Sequence, residues 1–181
     1  MAFEYELKKR GIESIREIVS IGDNFKANDY DFVFFGGGQD YEQAIVKKDL
    51  ITKKDELKNF IENDGLFLAI CGGFQLLGKY YYSASGEKIE GLNIFDHYTL
   101  NQDTNDRFTG EIKIKVERFN EVCEGFENHG GRTFLAEGQK PFGKVIEGNG
   151  NNGEDGTEGF IYKNTIGTYL HGPVPVSYTH L

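Results

Sequence analysis

Cys71 stands between an unbroken apolar run, Leu66 to Ile70, and the pair Gly72-Gly73. The run suits a strand of a parallel sheet buried on both faces. After it the spacing changes: Phe74, Leu77 and Tyr81 recur as the stripe of a helix, with Gly78 permitting close approach. A thiol at such a strand-to-helix turn has the geometry of a nucleophile elbow, and the amides at the helix end favour a thiolate there. Elsewhere a lone cysteine is more often a small buried hydrophobe. His171 occupies the matching place after another strand-like run, Ile166 to Leu170, where it can act as general base toward a thiol or be a chance surface histidine. Pro173 falls where a third, carboxylate member would be expected, so a dyad is the preferred reading.

A third feature is Gly36-Gly37-Gly38, directly after the apolar Phe32 to Phe35. Amides of a glycine loop after a buried strand can face a phosphate or an oxyanion, or simply make a turn. No Gly-Lys-Ser/Thr follows Gly38, and Tyr41 holds the place of the third glycine of a dinucleotide fingerprint. Beside a cysteine elbow, the oxyanion hole is the preferred reading.

The elements that must position these residues follow from the same patterns. Phe3 to Arg10 reads as the last turns of a helix stopped by Gly11, and Ile12, Ile15, Ile18, Val19 and Ile21 as a strand. Tyr41 to Asn63 is helical, with Ala44, Ile45, Leu57, Phe60 and Ile61 apolar and a break expected where Thr52 and Asp55 offer a cap. Two successive strand-loop-helix passes predict a doubly wound α/β sheet, whose ligands bind at the carboxyl ends of the strands. Beyond Tyr82, Leu92, Ile94 and Phe95, then Ile112, Ile114 and Val116, predict half-exposed antiparallel strands. Phe126 to Leu135 reads as a polar loop, either a binding loop or a plain turn, with His129 more simply ordinary surface, and Gly148 to Gly159 as a flexible turn that lacks the register of a calcium loop.

With 181 residues the chain predicts one domain with a real core. A net charge of -9 repels phosphate backbones and anionic surfaces, which argues against nucleic acid as a partner. Two distant cysteines, Cys71 and Cys123, give neither a disulfide framework nor a zinc site, so no metal is expected and a reducing cytoplasm fits. No apolar run approaches the ~18 residues of a span, so direct membrane insertion is not expected and any work at a membrane requires a partner.

The motifs Ala69-Ile70-Cys71-Gly72-Gly73-Phe74-Gln75-Leu76-Leu77-Gly78, Gly36-Gly37-Gly38-Gln39-Asp40, Glu127-Asn128-His129-Gly130-Gly131-Arg132-Thr133 and Tyr169-Leu170-His171-Gly172-Pro173 resemble class I glutamine amidotransferases of the cobyric-acid-synthase-like branch. Within it they resemble the glutaminase subunits of bacterial lipid II isoglutaminyl synthases. The resemblance implies a flavodoxin-like, doubly wound, mainly parallel sheet with helices on both faces, and antiparallel strands in the second half. It implies that Cys71 attacks the side-chain amide of L-glutamine, that His171 shuttles protons, and that glutamate and ammonia leave. It places Gly37 and Gly38 near the oxyanion, Gln75 near the substrate and Arg132 on the glutamine carboxylate, a task suited to its planar fork. It implies no cofactor in this chain. A Mur-ligase-like synthetase subunit, with ATP and Mg of its own, would form a heterodimer with it and amidate the D-glutamate of lipid II at the inner face of the membrane. The family pattern further leads one to expect residues 1–175 to be an amidotransferase domain truncated at both ends, lacking an upstream strand, and residues 176–181, with His180, to be a foreign tail. Two other readings remain. One is a stand-alone flavodoxin-like cysteine hydrolase, although Gly72 stands where such enzymes usually carry their histidine; the other is a binding module without catalysis.

Overall fold

Parallel strands organise the molecule, which we describe from a computed structural model covering residues 2–37, 40–83, 86–101 and 106–172, without the side chains of residues 2 and 40–46. The order is α1 (Ala2–Lys9), β1 (Phe32–Phe35), α2 (Asp40–Glu62), β2 (Leu66–Ile70), α3 (Gly72–Leu77), β3 (Tyr80–Tyr82), β4 (Lys88–Glu90), β5 (Tyr98–Asn101), β6 (Phe108–Val116), β7 (Glu121–His129), β8 (Gly131–Phe134), β9 (Gly143–Glu147), β10 (Thr157–Glu158), β11 (Phe160–Tyr162) and β12 (Thr165–Thr168). The sheet that carries the glycine loop and Cys71 runs β1-β2-β12-β11. Its first three strands are parallel, with Phe32 opposite Leu66 and Thr168 opposite Ile70, and β11 returns antiparallel beside β12.

The period of two in these strands gives the sheet two apolar faces. Phe67 and Ala69, with Val33 and Phe35, meet Leu57, Phe60 and Ile61 of α2 and Phe74 and Leu77 of α3 in one core. Burying each large side chain of this kind contributes roughly 1.5–3 kcal/mol. On the opposite face Phe3 of α1 packs on Phe32 and Phe34. Beside β12 that face is covered instead by the antiparallel sheet β10-β9-β6-β7, whose Ile112, Ile114 and Val116 form a second core with Leu170 and Ile166. A small third sheet, β4-β3-β5-β8, completes the fold. Among the described residues no helix is long and apolar enough to cross a membrane.

The α/β class, the parallel sheet and the antiparallel second half are as the patterns predict, and several local expectations differ. Residues 12–21 form no strand: Ile12, Ile15, Ile18 and Ile21 are exposed, Ile15 completely. Apolar spacing makes a strand only where a ladder partner takes its amides, and β1 is the sheet's edge. α2 runs unbroken through Thr52, because the Thr52 hydroxyl donates back to Asp49 O at 2.6 Å instead of capping a new helix. Leu92, Ile94 and Phe95 are not a strand; their amides donate to the carbonyls of Leu76 and Leu77 and so close the C-terminal end of α3. Phe126 to Leu135 is largely sheet, β7 followed by β8, and the stretch from Gly148 to Gly159 is ordered, with Asn151, Asn152 and Glu158 buried.

Candidate active site

The apolar run Leu66–Ile70 carries the chain to Cys71, whose backbone stands at φ 52° and ψ -110°. Positive φ is unusual for a residue with a Cβ and persists only where its surroundings hold it. Here the Cys71 amide donates to Thr168 O at 2.9 Å, and the Cys71 carbonyl accepts from Gln75 N at 3.0 Å, opening α3. The expected sharp strand-to-helix turn is therefore present. Gly73 lets that turn sit against β1, because a Cβ there would lie 2.5 Å from Phe35 O.

Gly37 lies directly on the elbow. A Cβ at this position would be 3.1 Å from Cys71 Cβ and 3.2 Å from Gly72 N, a contact the neighbours could accept only by shifting. Glycine is what allows the loop after β1 to approach the cysteine backbone so closely. Gly38 and Pro173 lie outside the described residues, as do residues 174–181.

His171 leaves β12, the parallel neighbour of β2, at the same carboxyl edge of the sheet. Its amide donates to Phe126 O at 2.8 Å, its carbonyl accepts from Phe126 N at 3.1 Å, and its ring stacks on Phe126 with centroids 5.1 Å apart. Nδ1 is buried with no hydrogen-bond partner among the described residues. Burial lowers the His171 pKa below its ordinary value, which favours the neutral imidazole that a base requires.

Behind Cys71 lies a buried polar cluster centred on Tyr169. Its hydroxyl accepts from Gln75 Nε2 at 3.0 Å and shares a 2.6 Å hydrogen bond with Thr133 Oγ1, itself 2.7 Å from Thr99 Oγ1. The Tyr169 ring stacks on His129, centroids 3.6 Å apart and planes nearly parallel. Burial drives the Tyr169 pKa far upward, so the phenol stays neutral and can donate. Gln75 is thus turned toward Tyr169. His129 is no surface residue: its Nδ1 donates to Gly131 O at 2.8 Å, and its Nε2 stands 3.8 Å from the buried Glu127 carboxylate. Burial opposes the charge of Glu127, but neighbouring His129 and the hydrogen bonds accepted from Asn149 Nδ2, Asn149 N and Gly150 N outweigh it and leave its pKa lowered.

Arg132 is buried on the face of β8 opposite to Gly131 and Thr133, the pair that meets Gln75 and Tyr169. Its guanidinium donates to Gly130 O at 3.1 Å and Asp106 O at 2.7 Å and lies 3.3 Å from the centroid of Phe108. Cys71, Gly37, Gln75 and the strand end leading to His171 therefore share one edge of the sheet, while Arg132 sits in a neighbouring cage. Sequence reasoning missed Tyr169 as a hub, together with His129, Glu127 and Glu158. Only the position of Tyr169, two residues before His171 and beside the end of β2, could have pointed to it. The other buried histidine, His97, donates Nε2–H to Phe74 O beneath α3, and burial pushes it down to about 4, so it is a neutral core residue.

Comparison with known proteins places this arrangement in context. Residues 3–177 match the CobB/CobQ-like glutamine amidotransferase domain. The chain is 56% identical over 174 residues to the lipid II isoglutaminyl synthase (glutamine-hydrolyzing) subunit GatD of Streptococcus pneumoniae, covering 96% of this chain and 66% of that protein. The corresponding subunit of Staphylococcus aureus is 43% identical over 174 residues, covering 96% of this chain and 70% of that protein. Cobyric acid synthase of Listeria innocua is 34% identical over 151 residues, but the match is 28% of its length. The chain thus spans just under two thirds of the first of these relatives. Among solved structures, PurLQS of Thermotoga maritima superposes with a TM-score of 0.66 at 17% identity over 95% of this chain and 81% of that one. A crystal structure of a glutamine amidotransferase gives 0.65 at 15% identity, covering 96% of this chain and 85% of that one. At these identities the structures support the fold alone.

Proposed function

Since the chain belongs to the CobB/CobQ-like glutamine amidotransferase family, we propose that it hydrolyses L-glutamine to glutamate and ammonia and serves as the glutaminase subunit of an enzyme that amidates lipid II. The observation that carries the chemical part is the strained Cys71 elbow, with Gly37 seated on it and the strand end that leads to His171 beside it. In this reading neutral His171 takes the Cys71 thiol proton, and the thiolate attacks the side-chain amide carbon. Backbone amides of the loop at Gly37 and Gly38 take the developing oxyanion, and His171 gives a proton to the departing nitrogen, which leaves as ammonia. The resulting thioester is then attacked by water, whose proton passes to His171; the C–S bond breaks, the thiol is restored and glutamate departs. Gln75 supports the substrate side of the elbow through Tyr169. Arg132 holds the substrate carboxylate with guanidinium donors beyond those given to Gly130 and Asp106.

The ammonia passes to a Mur-ligase-like synthetase subunit in a heterodimer, which would bring ATP and Mg of its own for amidation of the D-glutamate of the lipid II peptide. The high identity to two proteins named as GatD subunits supports this assignment over a role in cobyric acid synthesis, where the relatives are less similar and far longer. Cytoplasmic work at the inner membrane face follows from the substrate. The test is ammonia release from glutamine by the full-length protein together with its partner, with Cys71→Ser and Cys123→Ser compared and the thiols labelled by a glutamine-analogue electrophile. Loss of release and of labelling is expected for Cys71→Ser alone, because a hydroxyl in a site built for a thiolate is a far weaker nucleophile. Undiminished turnover in that variant sinks the glutaminase reading.

A further inference from the structure

One fully buried carboxylate has no part in the chemistry just described, yet it touches the backbone that the chemistry uses. Glu158 ends β10 with no solvent exposure. Tyr169 N donates to its Oε1 at 2.6 Å, and the Thr168 hydroxyl donates to both carboxylate oxygens at 2.9 Å. The same hydroxyl accepts from Leu170 N at 3.0 Å, so the first two residues beyond β12 are folded onto one anchor. On its other side this peptide is gripped by the nucleophile: Thr168 O receives the Cys71 amide. A single peptide thus joins Glu158, Cys71, Tyr169 and, two residues on, His171.

We propose that Glu158 is a positioning residue for the cysteine-histidine chemistry: its carboxylate clamps Thr168 and Tyr169, and so fixes the strand end that receives the Cys71 amide and leads into His171. This rests on the glutaminase reading of those two residues. The Glu158 carboxylate collects both donors where the peptide has left the β2 ladder beyond Thr168. Burial pushes the Glu158 carboxyl up to about 7 against the hydrogen bonds it accepts, with the Glu127 charge on β7 acting in the same direction. The other titratable groups around it are Tyr169, which stays neutral, and the Cys123 thiol of β7, which burial pushes up with Glu121 and Glu158 adding to it. The carboxyl therefore ionises near neutrality, inside the range over which hydrolysis is followed.

The proposal is tested with Glu158→Gln and Thr168→Val in the full-length protein. Glutamine hydrolysis is followed from about pH 6 to 9, together with iodoacetamide alkylation of Cys71 and amide hydrogen exchange at Cys71 and Tyr169. Misplacing a reacting pair by about an ångström costs up to ~100-fold, so kcat of Glu158→Gln should fall about ten-fold or more, with KM little changed. Its rate should no longer vary near pH 7, and exchange at both amides should quicken; Thr168→Val should move the same way. Wild-type kcat, pH profile and exchange in a folded Glu158→Gln protein overturn the proposal, as does a lower rate whose pH profile is unchanged. If Glu158→Gln does not fold, Thr168→Val decides by the same readouts. If the wild type fails to hydrolyse glutamine, the glutaminase reading falls on its own, and alkylation and exchange at Cys71 still decide the role of Glu158.

Discussion

A cysteine held at positive φ stores backbone strain that only its neighbours can sustain, so the residues around Cys71 can be sorted by what they restrain. Gly37→Ala would press a methyl against Cys71 Cβ and Gly72 N, both backbone-bound and slow to yield. Glutamine turnover should drop about ten-fold or more while thermal stability changes little, which a kinetic assay beside a melting curve checks. His171→Ala should lower kcat by about 100-fold or more, whereas Arg132→Lys should mainly raise KM if the fork meets the carboxylate equally in ground and transition states. Equal effects of both changes on kcat and KM would count against separate roles. Because burial holds His171 below its ordinary value, the acid limb of kcat/KM should lie below the unperturbed value of about 6.5, where the imidazole is at last protonated. An acid limb above that value would contradict the neutral base. Cys71 was legible from the sequence because its apolar run, glycine pair and helical stripe adjoin in the chain. Tyr169 and Glu158 were not, because a buried hydrogen-bond hub has no period and its partners come from Gln75, Thr133 and Thr168, far apart in sequence.

Among the elements, local spacing was informative wherever a partner was assured. β1, β2 and the start of α3 follow directly from it, although Tyr81, expected on the helical stripe, lies on β3 because α3 ends at Leu77; residues 12–21 have strand composition but no ladder, and the Gly/Asn-rich stretch before β10 has loop composition but a buried interior. Two element-scale outcomes follow. The turn into β2 has Gly65 against the Phe60 ring, where a Cβ would lie 2.4 Å from a ring carbon. Gly65→Ala should destabilise by about 1–3 kcal/mol in urea unfolding, and Phe60→Leu in the same chain should recover part of that loss. Glu158 links stability to pH. Its folded pKa of about 7 exceeds the ordinary value of 4.5, so the stability it contributes is fully present below 4.5 and is lost as pH rises through about 7. Over that window the loss is ~3 kcal/mol. Between pH 5 and 8 the unfolding free energy of Glu158→Gln, from urea titrations, should therefore vary less than that of the wild type, by about 2–3 kcal/mol. Parallel curves for the two proteins would show that Glu158 does not titrate in this range.

For the molecule as a whole, β12 is shared property: one face belongs to the core under α2 and α3, the other to the core under β6. A defect in either core should reach the strand that carries His171. Ile114→Ala, at a fully buried position of β6, should cost about 2–5 kcal/mol by urea unfolding. Ile15→Ser, fully exposed, should stay within ~0.5 kcal/mol of the wild type. The loop between β9 and β10 adds a consequence of another kind. It contains two Asn-Gly steps, Asn149-Gly150 and Asn152-Gly153, the pairs in which a glycine amide most readily attacks the asparagine side chain and converts it to aspartate. Here the Gly150 amide is given to Glu127 and the Gly153 amide to Asn149 O, while Asn152 Oδ1 accepts from Glu154 and Asp155. Neither ring closure can begin without first breaking the network behind the site. Peptide mapping of aged protein should find both asparagines intact as long as the chain stays folded, and aspartate accumulating there in Glu127→Ala, so that chemical ageing becomes a clock for opening of this loop.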